Sequence, residues 1–395
     1  MHAHPRARCI LALLLTGVLA SAGCTREVPT PTPTAPAEAL DGGAPGDHQD
    51  EALGAASRPV VPPDPAAGGP LATLAEACDR YTGTPVRAVT TVAVVTDAAD
   101  TPLEAPVLQG VRAAVNCLGL RAVEVTSAGP APDGDADGTA IDAVAEAVRA
   151  VASGPAVVVT IGGHLGPATL EAALAAPDVA FIGIEQPQTS YPENYVGVLH
   201  RTDEAGVLAG AVGALLSEFG ILGVIGGAEA LPAIRFLEGA VRGAALIDTG
   251  VRVVGVDTGT LDPLDGSYTA QQLLGEGADV LISAGGPGPS AGIRTASAAG
   301  ARVVVAGAEA WEVGRLAGGA PEVAAAVVPR VDLGTFVQIG ELLTGRFGGG
   351  VFWLDAANGG ITVTGAAGLP ADVVERIEAV RAGLADATID PGSTR

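Results

Sequence analysis

The sequence contains no lysine, and all 21 of its basic residues are arginine. Without lysine there is no amine for a Schiff base, no phosphate-binding P-loop lysine and no Ser–Lys dyad. Acidic residues outnumber basic ones by 44 to 21, which gives a net charge of −23. This charge argues against a nucleic-acid partner, whose binding needs clustered basic side chains. It also argues against a basic membrane-binding face.

Catalytic and metal-binding patterns are also missing. Gly288–Gly292 has the Gly-x-Ser-x-Gly form of a hydrolase nucleophile elbow, but no histidine follows His200, and that mechanism needs one. His48, His164 and His200 are isolated, without metal-ligand spacing. We therefore predict no enzyme activity, no metal and no cofactor. We interpret Gly288–Gly292 as a strand-to-helix turn whose N–H groups face a ligand.

Residues 1–23 are typical of a bacterial export signal. Arg6 and Arg8 precede the 12-residue apolar run Cys9–Ala20, which is shorter than the ~20 residues of a membrane-spanning helix. Ser21-Ala22-Gly23-Cys24 then resembles a lipobox, in which Cys24 would receive the lipid after cleavage. The alternatives are an ordinary signal peptide with an incidental cysteine, and an uncleaved anchor.

Residues 24–70 are predicted to be a disordered tether. Ten prolines and six glycines lie between Thr25 and Pro70, with almost no large apolar residues. Such a segment buries too little surface to offset its ordering entropy, and its prolines keep it extended. Together with Cys24, the tether predicts a domain that stands off the outer face of the cell membrane.

The cysteine count fits an exported protein. Removal of the leader removes Cys9, and lipidation would occupy Cys24. Cys78 and Cys117 remain, and an oxidising compartment would allow them to form a disulfide. Two buried free thiols are the alternative.

Residues 71–395 are predicted to fold as an α/β protein with two doubly wound lobes. Apolar runs typical of buried parallel strands alternate with amphipathic helical segments. More than eight such units in about 300 residues favour two lobes over one sheet or a TIM barrel. The predicted strands are Val89–Thr96, Ala122–Thr126, Ala156–Ile161, Val179–Ile184, Ile221–Ile225, Val251–Val256, Val280–Ser283 and Val303–Ala306. The predicted helices include Val107–Leu118, Ile141–Val151, Glu204–Ser217, Ala233–Leu246 and Ala291–Ala299.

The helix that begins near Thr202 is predicted to pack closely against a neighbour. Thr202 suits the N-cap, and Asp203 and Glu204 in the first turn favour the helix dipole. Small residues on this helix would let another backbone approach: Gly206, Ala209, Gly210 and Gly213.

An ordered set of motifs from about Val89 to Leu384 resembles the basic membrane protein family of bacterial lipoproteins, which includes purine nucleoside receptors. The motifs are Thr202–Ala211, Leu222–Gly227, Arg235–Gly239, Gly277–Leu281, Arg330–Asp332 and Leu369–Ile377. The resemblance implies a type I periplasmic-binding fold, with a ligand enclosed between two lobes joined by a multi-crossing hinge. It also implies a monomeric solute-binding lipoprotein that delivers its ligand to an ABC permease and ATPase. A ligand sensor or degenerate lipoprotein without a permease is the alternative.

The same resemblance suggests how the chain is divided between the lobes. We expect lobe 1 to comprise about 86–200 and 306–330, and lobe 2 about 201–305 and 331–368. A C-terminal helix is expected at about 370–386.

The resemblance also implies a ligand set, with substitutions. Leu103 stands where the family has a base-stacking phenylalanine, and Glu104 where it has a base-reading asparagine. Phe236 corresponds to a second ring, and Glu309 to an aspartate that binds ribose hydroxyls, with Trp311 two residues beyond. The other candidate ligand residues are Asp97, Asp100, His164 and Asp262.

Each of these assignments has a plainer alternative. A carboxylate at a strand end suits hydroxyl or cationic groups, so the ligand is a nucleoside or another polar solute. Alternatively, each acid is a solvated loop residue or helix cap, His164 is an exposed loop residue, Phe236 belongs to the core and Trp311 is a wedge between the lobes.

Overall fold

The structure is a computed structural model that describes residues 71, 73–83, 91–97, 102–127, 136–151, 156–226, 231–257, 262–285, 287–307, 323–365 and 368–392. All of them lie in the unit Asp47–Arg395. The predicted export signal, Cys24 and the tether at 24–70 are outside the described residues.

Helices and strands alternate along most of the described chain. In chain order they are α1 (Leu74–Tyr81), β1 (Thr91–Asp97), α2 (Glu104–Leu118), β2 (Arg121–Ser127), α3 (Ala136–Val151), β3 (Ala156–Ile161), a 3₁₀ turn (Gly163–Leu165), α4 (Gly166–Ala175), β4 (Ala180–Ile184), β5 (Tyr195–His200), α5 (Thr202–Leu216), β6 (Ile221–Gly226), α6 (Leu231–Ile247), β7 (Arg252–Asp257), α7 (Pro263–Gly275), β8 (Val280–Ser283), α8 (Pro287–Ala298), β9 (Arg302–Ala306), β10 (Val323–Pro329), α9 (Val331–Thr344), β11 (Gly350–Leu354), β12 (Ile361–Thr364) and α10 (Ala371–Ala385).

The strands form two six-stranded sheets with the same arrangement. The first has the order β11-β5-β4-β3-β1-β2, and the second β12-β10-β9-β8-β6-β7. The first sheet is parallel throughout, whereas β12 runs antiparallel at the edge of the second. The chain passes between the sheets three times: after β5, after β10 and after β11. These features confirm the predicted fold of two doubly wound lobes with a multi-crossing hinge.

The division of the chain between the lobes differs from the prediction. The segment 306–330 was expected in lobe 1, but its strand β10 pairs with β9 and β12 in the second sheet. The segment 331–368 was expected in lobe 2, but α9 packs into the first-lobe core and β11 pairs with β5. Among the strands β10, β11 and β12, only β12 lies in its predicted lobe, whereas β1–β9 all do. The second crossing therefore comes at Arg330, one strand later than expected.

Both faces of each sheet are covered by helices. In the first lobe α1, α2 and α9 cover one face, and α3 and α4 the other. In the second lobe α5, α6 and α10 cover one face, and α7 and α8 the other. Val157 and Val159 face the first of these cores while Val158 faces the opposite one, as the period-two geometry of a strand requires. Burial on both faces explains why the central strands are continuous apolar runs.

Helix α1 is fastened to two other helices of the first lobe. A disulfide joins Cys78 of α1 to Cys117 of α2, with the two Cα atoms 5.9 Å apart. The Tyr81 hydroxyl donates a 2.7 Å hydrogen bond to Glu341 of α9, whose carboxylate also accepts two bonds from Arg346. Burial raises the pKa of Tyr81, and the charge of Glu341 raises it further. The hydroxyl thus remains a donor at physiological pH.

Glycines allow helices α5 and α6 to touch backbone to backbone. A Cβ atom at Gly206 or Gly210 would lie well within 3.0 Å of a carbonyl oxygen of α6, and one at Gly239 or Gly243 would meet a carbonyl of α5 in the same way. This confirms the close approach predicted for Gly206 and Gly210. Gly213 instead faces the side chains of Leu222 and Ile282 in the second sheet.

Candidate functional site

In open α/β sheets, ligands bind at the carboxyl ends of the strands, where the strand order reverses. In the first sheet that point lies between β1 and β3, and in the second between β6 and β8. The matching topology gives each lobe one such edge. The candidate site is therefore assembled from the residues that follow these strands.

The loop after β3 brings His164 to the edge of the first sheet. Gly162 has φ 96°, a conformation suited to glycine, and its N–H donates to the carbonyl of Ile184 in β4. Gly163 lies against the backbone of Glu185, because a Cβ atom there would be 3.3 Å from its carbonyl oxygen. His164 is exposed at the start of the turn into α4. The loops after β3 and β4 therefore form one surface.

Glu185 and His200 form an ion pair at the ends of β4 and β5. The distance from Glu185 Oε1 to His200 Nδ1 is 2.7 Å, and the side chains are 25% and 18% exposed. Burial lowers the pKa of His200, but the adjacent Glu185 carboxylate outweighs it, so the pKa is raised overall. The Glu185 carboxylate therefore favours the protonated imidazole, whose positive charge opposes its own.

The residue after Glu185 is a buried glutamine that forms hydrogen bonds to the neighbouring strands. Gln186 is fully buried, and its Nε2 donates to the carbonyl of Gly162 and to Thr160 Oγ1, both at 3.0 Å. Its Oε1 accepts a 2.7 Å bond from the Tyr195 hydroxyl. These bonds link β3, β4 and β5 directly below the site, and so hold the loop after β3 and the residues after β4 in a fixed relation.

The remaining predicted ligand residues are placed as follows. Leu103 precedes α2 and packs, partly buried, against the first-lobe core, and Glu104 is the first residue of α2. Asp262 caps α7 by accepting a 2.8 Å bond from the Leu264 N–H, and it is exposed. Phe236 is 4% exposed and belongs to the core of the second lobe. Ligand contact by these residues stays a prediction.

Four of the predicted ligand residues, or their side chains, are not among the described residues. Asp100, Glu309 and Trp311 lie outside the described residues, as does the side chain of Asp97, whose backbone ends β1. The sequence prediction did not include Glu185, and it treated His200 only as an isolated histidine. Glu185 could have been selected by the rule that singled out Asp97, because it too directly follows an apolar strand.

The first two crossings between the lobes carry the same Arg-x-Asp arrangement. Arg201 binds Asp203 through both its Nε (3.0 Å) and its Nη2 (2.6 Å), and the Asp203 residue is 3% exposed. Arg330 binds Asp332 in the same way, with both distances at 2.8 Å. Each aspartate lies in the first turn of a crossover helix, α5 or α9. Such bidentate pairs fix the geometry of a segment more tightly than single contacts do.

Thr202 does not cap α5. The N-cap residue is Arg201, in an extended conformation with no side-chain cap bond, and Thr202 is the first helical residue. The Arg201 N–H instead donates to the carbonyl of Leu354 at the end of β11. The tertiary contact with the third crossing thus decides where the helix begins, and local capping preference does not.

The third crossing, residues 354–361, is held by both of the others. The Arg201 N–H donates to the Leu354 carbonyl at 3.0 Å, and the Arg330 N–H donates to the Gly360 carbonyl at 2.7 Å. The Ala356 N–H donates a further 2.8 Å hydrogen bond to Glu204 Oε2. The three crossings therefore lie side by side at the junction of the lobes.

Glu204 is an ionisable group buried at this junction, with 3% of its surface exposed. Burial raises its pKa to about 7; the bond from Ala356 lowers it, and the nearby Asp355 raises it. Glu204 therefore changes charge near neutral pH.

Comparison with known proteins identifies the family. Residues 88–377 match the family model Bmp, described as "ABC transporter substrate-binding protein PnrA-like". The chain belongs to the Bmp family. This confirms the resemblance noted in the sequence. The chain is also 29% identical to Basic membrane protein B of Borrelia garinii subsp. bavariensis over 131 residues, 32% of this chain and 38% of that relative.

Solved structures show that the Bmp-family chain shares its fold with solute-binding proteins. The ABC solute-binding protein of Conexibacter woesei is similar over 76% of this chain and 98% of its own, with TM-score 0.61 and 19% identity. The one from Aeropyrum pernix matches with TM-score 0.59 and 18% identity over 76% and 92%. A Bacillus halodurans structure titled a transcriptional activator of the comK gene gives TM-score 0.62 and 17% identity over 76% and 99%.

The described parts of the Bmp-family chain contain neither a membrane-spanning helix nor a metal-binding cluster. No helix there has the length and apolar character needed to cross a membrane. No group of three or more His, Cys, Asp or Glu side chains in those parts could hold a metal ion.

Proposed function

We propose that this protein captures one small polar solute, a nucleoside or a nucleoside-like compound, between its two lobes. The observation that carries the proposal is the family match over residues 88–377. The matched chain forms two sheets, one in each lobe, and each sheet has one point where its strand order reverses. Three crossings join the lobes. A ligand held between the lobes would contact strand ends from both sheets.

Capture would proceed by hinge closure. The crossings are short and adjacent, and their Arg–Asp pairs lie within single crossovers rather than between the faces of the lobes. A rotation at the junction could therefore bring the two carboxyl edges together while each lobe keeps its core. The closed form would then be recognised by an ABC permease with its ATPase.

The protein would work outside the cytoplasm as a monomer attached to the outer face of the cell membrane. Support comes from the apolar leader, the lipobox-like Ser21–Cys24 and the Pro/Gly-rich stretch at 24–70. Cys24 would carry the lipid, and the tether would give the binding domain the reach to meet the permease.

The proposed ligand contacts come from both lobes. Asp97, Asp100, Leu103, Glu104 and His164 would act on the first lobe, with Glu104 in place of a neutral base-reading residue. On the second, Glu309 would accept bonds from ribose hydroxyls. Trp311 would close over the ligand, with Phe236 and Asp262 near the edge.

A thermal-shift screen of the purified protein, stripped of bound ligand by unfolding and refolding, tests this proposal. The panel would contain purine and pyrimidine nucleosides, sugars, polyamines and amino acids. A ligand at about 100 times its dissociation constant stabilises the folded state by about 2.7 kcal/mol, which raises Tm by about 4 °C in a protein of this size. A shift with nucleosides supports the proposal, a shift only with another class replaces the substrate, and no shift refutes solute capture.

A ligand sensor without a permease is the second candidate function. The similar structure titled a transcriptional activator shows that this fold is not confined to proteins titled as transporter components. Uptake of the ligand that binds in vitro decides between the two. Deletion of the gene should abolish uptake for an importer component and leave it unchanged for a sensor.

A further inference from the structure

The two lobes place different residues at the same backbone position. Glu185 follows β4 in the first sheet and Gly307 follows β9 in the second, and these strands have equivalent places in the strand order. The Glu185 N–H donates to the Val198 carbonyl, and the Gly307 N–H to the Val327 carbonyl. Both residues are left-handed, with φ 55° and 90°. The same left-handed backbone position is therefore occupied by glutamate in the first lobe and by glycine in the second.

Glycine adopts a left-handed backbone conformation without strain, whereas glutamate does not. A residue with a Cβ atom is strained at positive φ because the Cβ approaches its own carbonyl oxygen. Among the described residues the only other non-glycine with positive φ is Ala387, in a turn near the C-terminus. A strained residue at a strand end, where its glycine counterpart fits easily, suggests that its side chain has a function.

The side chain of Glu185 reaches His200 and leaves two polar atoms available. Glu185 Oε1 is paired with His200 Nδ1, while Glu185 Oε2 and His200 Nε2 have no hydrogen-bond partner among the described residues. Both side chains are partly accessible, at the edge where the first lobe presents its strand ends. One free atom accepts a hydrogen bond, and the other donates one when the ring is protonated.

We propose that Glu185 and His200 form a ligand-binding subsite for a neutral group that carries a hydrogen-bond donor beside an acceptor. Glu185 Oε2 accepts from the ligand, and His200 Nε2–H donates to it. In a nucleoside this chemistry is found in the lactam edge of an oxopurine and in the ribose diol, whereas adenine has its donor at N6 and its acceptor at N1, the reverse of the lactam order. The inference rests on the proposed function, and it narrows the ligand class of the same cleft.

The charge of the pair sets the preference for a neutral ligand. Because the Glu185 carboxylate raises the pKa of His200, it favours the protonated ring, whose positive charge offsets that of the carboxylate. A cationic ligand such as a polyamine gains no net attraction there. A neutral polar group can instead form hydrogen bonds with Glu185 Oε2 and His200 Nε2 at the same time. Discrimination by such bonds is strong, because a mismatched ligand leaves both atoms without a partner.

The test compares Glu185→Gln and Glu185→Gly with the wild-type protein, using calorimetric titration with inosine, adenosine and 2′,3′-dideoxyinosine. Glu185→Gln keeps the shape of the side chain and should weaken inosine binding about ten- to hundred-fold, the effect of losing a charged hydrogen bond. The matched control is Glu218→Gln, which removes a carboxylate from an exposed pair with Arg302 on the other lobe, and should leave affinity unchanged.

The ligand series identifies the group that is bound. If the lactam edge occupies the subsite, adenosine binds at least ten-fold more weakly than inosine, and Glu185→Gln removes that difference. If the diol occupies it, the dideoxy compound is the weak ligand, and the same variant removes that difference. Equal affinity of wild type and Glu185→Gln for every ligand that binds overturns the proposal.

The Tm of Glu185→Gly distinguishes a failure of the Glu185–His200 subsite from a failure of the proposed nucleoside capture. If wild type binds none of the three nucleosides, nucleoside capture fails, and the stability of this variant then decides the inference. Glycine relieves the left-handed strain, so a Tm equal to or above that of wild type supports a side chain kept for binding. A lower Tm in that case shows a purely structural pair and overturns the inference.

Discussion

The contact between α5 and α6 predicts a large effect from a single methyl group. Gly210→Ala would place a Cβ atom well inside 3.0 Å of the Ala240 carbonyl oxygen, a fixed backbone atom. No side-chain rotation can relieve this contact, so the two helices must move apart. The substitution therefore disturbs the core of the second lobe, in which both helices are buried.

The magnitude follows from two opposing effects. Overpacking a core costs about 1–3 kcal/mol, and a clash with backbone belongs at the upper end of that range. Alanine in a helix interior returns about 1 kcal/mol relative to glycine. We expect a net loss of about 2 kcal/mol in the free energy of unfolding, or about 3 °C in Tm.

Urea unfolding followed by circular dichroism measures this loss, and Gly275→Ala is the matched control. Gly275 ends α7, and a Cβ atom there meets nothing within 4 Å, so the control should be neutral or slightly stabilising. Gly243→Ala, which opens the same interface from α6, should add less to Gly210→Ala than it costs alone. Unchanged stability of Gly210→Ala would refute the backbone contact.

Three further predictions concern a buried carboxylate, the disulfide and a buried hydrogen bond. The pKa of Glu204 is raised from 4.5 to about 7, so the folded state keeps a proton that the unfolded state releases. The free energy of unfolding should therefore fall by about 3 kcal/mol between pH 4.5 and 7 from this group, and urea titrations of Glu204→Gln across that range should lack this fall. Replacing Cys78 and Cys117 by serine opens a crosslink of 39-residue separation, and should cost about 3–4 kcal/mol; equal Tm values for reduced and oxidised wild type would contradict this. Tyr81→Phe removes a donor to a buried carboxylate and should lower stability by about 1–2 kcal/mol, whereas Tyr268→Phe, at an exposed position, should not.

The strand bounds predicted from the sequence are most accurate for β3 and β8, which are buried on both faces of their sheets. β3 and β8 have the predicted bounds, Ala156–Ile161 and Val280–Ser283, because each is a continuous apolar run. β5, β10, β11 and β12 were not predicted. β10 is rich in alanine, which weakens its strand pattern. β5, β11 and β12 carry strand-forming residues and were missed all the same. The missed strands flank the crossings, which is why the lobe boundaries were misplaced.

The candidate site was predicted only in part, for a physical reason. The carboxyl edge of the first sheet follows from the alternation of strands and helices, and it led to His164. The Glu185–His200 pair depends on the left-handed backbone at Glu185 and on β4 lying beside β5. Neither property is local to the residues concerned. The capping preference of Thr202 failed similarly, because a hydrogen bond to Leu354 determines the start of α5.

The interleaved path of the chain has a consequence for how the protein is made. The first sheet has five of its strands by His200, yet the helix that covers one face of it, Val331–Thr344, and its edge strand Gly350–Leu354 come after most of the second lobe. As the chain emerges from the ribosome, the first lobe lacks an edge strand until Leu354 has been synthesised, and the second lacks β12 and α10 until later still. A nascent chain released near residue 330 would therefore carry two incomplete domains rather than one finished and one missing. Completion of both lobes therefore waits for the residues that follow Arg330.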